Sequence, residues 1–335
     1  MKINYDKHYL TFDDVLIKPA YSDIESREEV DIRSDFLGQN ILPIISANMD
    51  YVTGVKMAEA MNIAGALGII NRFEDLRYQS DELNFERLDP VAIAVGVRDF
   101  ADLRNRLRTL QPDIVCIDVA HGHHNLVYEA IKYIKNTHSL AYVIAGNVAT
   151  EDGAYDLISA GADAIKVGIG PGSVCTTREV TGVGVPQLSA IIECSLATKQ
   201  YGKPLIADGG INSSGDIVKA LAAGADMVML GRLLAGHDEC PGEKVVLSDG
   251  RAFKPYRGQS MLGSNGSRYA PEGISGYVPA RGPVSETLKT LVGGIKSGFS
   301  YVGARNLAEL REKTEFILTS SATKHENNTR ILQEV

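Results

Sequence analysis

From residue 41 to residue 231 the chain repeats one phrase: a short β-rich apolar run, a turn bearing Gly or Asp, then a stretch of helical periodicity. The runs are ILPIISA (41–47), GALGII (65–70), VAIAVGV (91–97), DIVCIDVA (113–120), AYVIAGNV (141–148), AIKVGI (164–169), PLIADGG (204–210) and MVMLG (227–231). Helices are expected between them at 54–62, 100–110, 125–136, 152–160, 187–199 and 214–222. Strands apolar on both faces and separated by amphipathic helices belong to a parallel sheet, and eight such units close into an α/β (β/α)8 TIM barrel. An internal echo supports this phrasing. The segment AGADAIKVG at 160–168 returns as AGADMVMLG at 223–231, one turn and strand repeated 63 positions on.

The phrase fails after the eighth run. Residues 238–283 carry VVLSDGRAF, which predicts a hairpin about Asp249 and Gly250, followed by a Gly- and Ser-rich stretch with little periodicity. The chain therefore reads as a single barrel domain over 1–335, with a hairpin and mobile flap insertion at 238–283. Helical periodicity resumes at 284–296 and 307–316.

Lys and Arg number 34 against 42 Asp and Glu, a net charge of −8, so there is no basic field to grip a nucleic acid backbone. The four cysteines, Cys116, Cys175, Cys194 and Cys240, form no CxxC pair and no dense framework, which fits a reducing compartment. The longest apolar stretches are strand-length and broken by Gly, far short of the ~18 residues of a membrane span. The expectation is a soluble, cytoplasmic protein without a membrane partner.

In a barrel the chemistry collects at the strand ends and the loops after them. After the sixth run comes GIGPGSVCTTR (168–178), where alternating glycines let backbone N–H groups converge on an anion and Ser173 adds a hydroxyl. Cys175 lies in that loop beside Arg178 and hydroxyl groups, as a nucleophile would, whereas Cys116 and Cys194 sit in apolar patterns. Asp208, Gly209 and Gly210 end the seventh run, and Gly231 with Arg232 the eighth. Loops after strands seven and eight form the usual barrel phosphate site, and an Asp there can hold ribose hydroxyls, so a nucleoside monophosphate is the expected ligand. After the fourth run stands DVAHGHH (118–124), read as a contact from Asp118 to a second ligand rather than a zinc site, since no further metal-spaced ligands accompany the histidines. Without a GxGxxG opening a βαβ unit, a dinucleotide would lie across the barrel mouth.

The segments TFDDVL (11–16), GNVAT (146–150), KVGIGPGSVCTTREVTGVGVPQ (166–187) and IADGGINSSGDIVKALAAGAD (206–226) closely resemble the IMP dehydrogenase and GMP reductase family. The resemblance implies a barrel enzyme, usually a homotetramer, in which the cysteine attacks C2 of a purine nucleotide and a nicotinamide exchanges a hydride with that carbon. By resemblance Cys175, Thr177 and Glu272 are catalytic. Ser46, Met49, Gly172, Ser173, Asp208, Gly209, Gly210, Gly231, Arg232, Tyr256 and Gly258 would bind the purine nucleotide. Asp118, Ala120 and His121 would bind the cofactor, and the carbonyls of Gly170, Gly172 and Cys175 a potassium ion.

Within the family the reductase reading is preferred: GMP and NADPH giving IMP and ammonia through a covalent Cys175–C2 adduct. Dehydrogenases usually carry a CBS insert before the third strand, and the twenty residues from Asn71 to Val91 leave no room for one. The spellings ANMD (47–50), GSVC (172–175), TGVG (181–184) and LAGH (234–237) are reductase-like. The alternative is a compact IMP dehydrogenase, turning IMP, NAD and water into XMP and NADH, for which Arg268 and Tyr269 would activate water. That pair precedes Glu272 by only three or four residues, in a loop much shorter than the dehydrogenase flap. A purine-nucleotide sensor without chemistry is the third reading.

Overall fold

The computed structural model describes residues 8–75, 88–258, 272–320 and 322–326. Each apolar run becomes a strand: β1 (Ile44–Ser46), β2 (Leu67–Gly68), β3 (Ala92–Val95), β4 (Ile114–Ile117), β5 (Tyr142–Val148), β6 (Ala164–Val167), β7 (Leu205–Asp208) and β8 (Met227–Leu230). All pair in parallel, in the order β2-β1-β8-β7-β6-β5-β4-β3. Ile70 closes the ring. Its N–H donates to the Ala92 carbonyl at 2.9 Å and its carbonyl accepts from Ala94 N–H at 2.8 Å. The expected barrel is present.

The repeated AGAD turn has a physical reason. Gly161 (φ +111°) and Gly224 (φ +120°) take the left-handed conformation that ends each preceding helix. The Asp two residues on then turns back to the neighbouring strand. Asp163 accepts the N–H of Val143 at 2.8 Å, and Asp226 that of Leu205 at 2.7 Å. Asp113 does the same for Val91 at 2.8 Å. These carboxylates tie the strand starts together at the end of the barrel opposite the cavity described below.

Because side chains alternate along a strand, the sheet buries two layers. One lies between strands and helices. The other fills the barrel, with Ile45, Leu67, Ile144, Ile206, Met227 and Met229 among its members. Phe36 joins this inner cluster, delivered by the hairpin of Ser34–Phe36 and Gln39–Ile41, and is 1% exposed.

The hairpin expected about Asp249 forms. Val245–Val246 and Ala252–Arg257 pair antiparallel, and Ser275–Pro279 adds a third strand. The flap expected after it falls on 259–271, outside the described residues, as do Arg268 and Tyr269. Two helix expectations need correction. The helix from Val284 runs on to Val302, its apolar stripe continuing through the buried Phe299 and Val302. The helix from Leu307 stops at Lys313, and Phe316–Leu318 is instead a strand paired antiparallel with Val15–Ile17. Partner strands lie about 300 residues apart, so no local periodicity could announce that pairing. No helix among the described residues is long and apolar enough to cross a membrane.

Phe36→Ala removes the aromatic plug without a neighbour able to fill its volume, and should cost about 3–5 kcal/mol of stability. Chemical denaturation followed by circular dichroism checks this. An unchanged midpoint would show the plug to be dispensable.

Candidate active site

The C-terminal strand ends surround a cavity of about 1340 Å³. That exceeds the ~300–1,000 Å³ usual for one small ligand, so two ligands can share it. Gly168 opens the loop after β6 with φ +146°, and a Cβ there would lie 2.1 Å from the Asp208 carbonyl oxygen, so only glycine lets the loop cross β7 so closely. Gly170, Gly172, Ser173 and Cys175 all line the cavity.

A hydrogen-bonded chain starts at the cysteine. Cys175 Sγ donates to Thr177 Oγ1 at 3.1 Å, and that hydroxyl donates to Glu272 Oε2 at 2.8 Å. Two backbone contacts bring Glu272 there from ninety-five residues away. Thr176 N–H donates to the Glu272 carbonyl at 3.3 Å, and Ile274 N–H to that of Val174 at 3.0 Å. Arg178 is occupied with loop carbonyls, through its Nε to Ile169 at 3.3 Å and a terminal nitrogen to Val185 at 2.5 Å. Cys175 is half-buried, while the other three thiols are buried. Burial pushes the Cys116 thiol up to about 12 and that of Cys240 up to about 11, and raises Cys194 as well.

Beside the cysteine loop lie Asp208, Gly209, Gly210, Gly231 and Arg232. Tyr256 covers them and shares a 3.2 Å hydrogen bond with Ser173. Its phenol is held above the ordinary range by burial. Gly231 is tightly enclosed, since a Cβ there would stand 3.0 Å from Tyr256 Oη and 3.2 Å from Met49 Sδ. Gly258 also reaches the cavity. Ser46 does not: it is wholly buried below the wall, where its Oγ accepts from Thr53 Oγ1 at 2.9 Å.

At the far end stand Asp118, Ala120 and His121. Asp118 Oδ2 accepts from Arg72 Nε at 3.0 Å, and the guanidinium lies 4.5 Å from the centre of the Phe73 ring. Burial, then the neighbouring His123 and His124, lowers the His121 pKa. The other two histidines have structural partners. His124 Nδ1 accepts Leu126 N–H and caps the helix Asn125–Thr137, and His123 Nε2 lies 2.9 Å from Asp156 Oδ2. Among the described residues no three His, Cys, Asp or Glu side chains group as metal ligands.

Several cavity residues escaped the sequence reading. Lys166 donates to Asp208 Oδ2 at 2.8 Å and also to Asn147 Oδ1, while Asn147 Nδ2 donates to Asp208 Oδ2 at 2.9 Å. Burial would strip the Lys166 ammonium of its proton, but Asp208 and further negative charge outweigh it and the net shift is upward. Arg257 grips Asp50, whose carboxyl burial nonetheless raises above its usual range. The signal for Lys166 was available: a lone lysine inside an apolar strand must have a buried partner.

A family model described as the IMP dehydrogenase / GMP reductase domain matches residues 9–330. Inosine-5'-monophosphate dehydrogenase of Aquifex aeolicus is 51% identical over 66% of this chain and 48% of its own length. That of Nitrosopumilus maritimus is 32% identical over 94% of this chain and 97% of its own. The chain spans about half the length of most of the curated relatives it matches. Among solved structures, a single-substitution variant of the GMP reductase of Trypanosoma brucei in complex with guanosine 5'-monophosphate superimposes with a TM-score of 0.89 at 29% identity. The match covers 98% of this chain and 99% of that one.

The burial pattern of the thiols gives a direct expectation. A thiol reagent at neutral pH should modify one cysteine per native chain and four after denaturation, with Cys175→Ala abolishing the native reaction. Native labelling that persists in Cys175→Ala would show that another thiol is open.

Proposed function

Because this chain belongs to the IMP dehydrogenase / GMP reductase family of purine-nucleotide oxidoreductases, we propose that it is a GMP reductase converting GMP and NADPH to IMP, ammonia and NADP. The carrying observation is the Cys175–Thr177–Glu272 chain, which joins a nucleophile to a carboxyl group through one hydroxyl. Coverage of nearly the whole length of both chains by the likeness to a GMP reductase supports the same reading.

The Cys175 thiolate adds to C2 of the purine. The exocyclic amino group takes a proton from the Glu272–Thr177 relay and leaves as ammonia, so a thioimidate remains on the sulfur. General acid catalysis of this kind contributes roughly 10²–10⁴-fold. When bound, the reduced nicotinamide supplies the hydride to C2. Expulsion of the Cys175 thiolate then yields IMP. Including the protons, GMP, NADPH and two H⁺ become IMP, NADP⁺ and NH₄⁺. Asp208 would hold the ribose, and Ser173, Gly172, Gly209, Gly210, Gly231, Arg232 and Tyr256 the phosphate end, with Met49 and Gly258 nearby. Asp118, Ala120 and His121 would receive the cofactor. The carbonyls of Gly170, Gly172 and Cys175 are hard oxygen donors suited to potassium, which would stiffen the loop. Gly172 already accepts Cys175 N–H at 3.0 Å and keeps one lone pair for a cation. A cytoplasmic homotetramer completes the proposal.

The 51% identity to a dehydrogenase favours a second reading, oxidation of IMP with NAD and water, with Arg268 and Tyr269 activating the water. Cofactor absorbance in two mixtures, GMP with NADPH and IMP with NAD, separates the two. Turnover in the first alone is expected; turnover in the second alone would sink the reductase, and turnover in neither favours a sensor. Cys175→Ser should abolish turnover while leaving nucleotide binding largely intact. Glu272→Gln should cost roughly 10²-fold or more, and Arg268→Ala should change GMP reduction little. A reversal of these last two effects would assign the dehydrogenase.

A further inference from the structure

The cysteine loop is tied across its two stems by one side chain. It leaves the barrel at Gly168, whose N–H donates to the Val148 carbonyl at 2.9 Å, and returns at Gln187, whose Nε2 donates to the Val167 carbonyl at 2.9 Å. Between these points Arg178 stands on the short helix Thr177–Thr181, near the middle of the excursion. Its Nε donates to the Ile169 carbonyl on the outgoing stem at 3.3 Å, and a terminal nitrogen donates to the Val185 carbonyl on the returning stem at 2.5 Å. Both stems are shaped to admit it. A Cβ at Gly170 would lie 2.5 Å from Arg178 Cγ, and one at Gly184 would lie 2.7 Å from that Cγ and 2.7 Å from Nε. At each glycine the three nearest atoms all belong to this side chain. Among the described residues no carboxylate acts on the guanidinium, so its charge is directed to two neutral carbonyls.

A guanidinium keeps its proton in proteins and holds its donors in a rigid fork, so both bonds are charge-assisted and permanent. Bridging the stems fixes the helix, and through the helix what it carries. Thr177 directly precedes Arg178. Its carbonyl accepts from Thr181 Oγ1 at 2.6 Å, and its hydroxyl accepts from Cys175 Sγ at 3.1 Å. The bonds of Arg178 itself go to the stems and not to these reacting groups. We infer that Arg178 is a positioning residue, a clasp that closes the stems of the loop and so sets Cys175 and Thr177 against the reacting carbon of the bound purine. Most of the remaining nucleotide contacts come from β7, β8 and Tyr256, which the clasp does not touch. This rests on the reading of Cys175 as the nucleophile. It does not depend on whether the protein reduces GMP or oxidises IMP, since the same thiol serves both.

Calorimetry with GMP and IMP, together with turnover in whichever of the GMP–NADPH and IMP–NAD mixtures the wild type uses, tests it. Misplacing a reacting group by about 1 Å costs about 10²-fold in rate, so Arg178→Ala should lower kcat by about that much while one nucleotide still binds per chain with Kd changed by less than about 5-fold. A merely structural arginine would lower kcat only in proportion to the number of binding sites lost, which overturns the inference. Gly184→Ala pushes the same side chain off its stem with Arg178 retained, and should cost at least about 10-fold in kcat. In the Arg178→Ala background the obstructing atoms are gone, and Gly184→Ala should cost nothing further. Additive losses from the two changes would show that they act separately, and overturn the inference. Gly184→Ala alone decides if Arg178→Ala does not accumulate as folded protein, an undiminished kcat counting against the clasp. An unchanged kcat in Arg178→Ala overturns the inference alone, whereas turnover retained in Cys175→Ser, or absent from the wild type in both mixtures, removes the nucleophile reading and the inference together.

Discussion

Closure of the parallel ring is the constraint on which the cavity depends. Eight parallel strands that close on themselves leave no edge and bring every C-terminal strand end to one rim. The last junction is narrow, carried by the two backbone hydrogen bonds at Ile70 between β2 and β3. Through it Arg72, which follows β2, comes to lie against Asp118, which follows β4. At the opposite end Asp113, Asp163 and Asp226 bind the first N–H groups of adjacent strands, so the strand starts are set by side chains as well as by the ladder.

Inside the ring, polar groups are tolerated only where they satisfy one another. Most of the barrel interior is Ile, Leu, Met and Ala, and the exceptions cluster at the rim. Lys166 is one of them, an ammonium only 3% exposed. Its cost is offset by Asp208, with Asp118 adding to the effect, and the net shift favours the charged form. The buried cation thus pairs with Asp208, while Asp118 at the far end of the cavity pairs with Arg72. Removing Lys166 would leave an unpaired charge in the wall, a larger penalty than the pair's own net contribution.

How much of this could be read from the chain follows from the range of each interaction. All eight strands and six of the seven described helices between them were legible, because alternation and 3.6-residue periodicity are local and the glycines at 161 and 224 punctuate them, whereas the five-residue helix Thr177–Thr181 is too short to show a period. The cysteine loop was legible for a similar reason, its residues being contiguous. What escaped was long-range or concealed. Phe316–Leu318 pairs with Val15–Ile17 across almost the whole sequence, and its helical spelling hid that. Ser46 ends a strand at the correct rim, yet its hydroxyl turns to Thr53 rather than to the cavity, a choice of side-chain direction that spacing does not encode. Asn147 lies in β5 and Lys166 in β6, but their joint grip on one oxygen of Asp208 appears only when three adjacent strands pair, with an irregularity in the β5–β6 register at Asn147.

The cysteine chain shows the same dependence in its strongest form. Thr177 lies two residues from Cys175, so that contact is nearly local. Glu272 reaches it only after the chain has completed β7 and β8 and the antiparallel sheet of Val245–Val246, Ala252–Arg257 and Ser275–Pro279 has formed around it. The docking is done by backbone, through Thr176 to Glu272 and Ile274 to Val174, and a further bond from Gly258 N–H to the Ile274 carbonyl at 2.9 Å ties the same segment to the strand that carries Tyr256. One small sheet therefore positions the carboxyl group beside the cysteine and the tyrosine beside Ser173. The thiol, the relay and the cover of the neighbouring subsite are mechanically one unit, so a shift of that sheet relative to the barrel would disturb all three together.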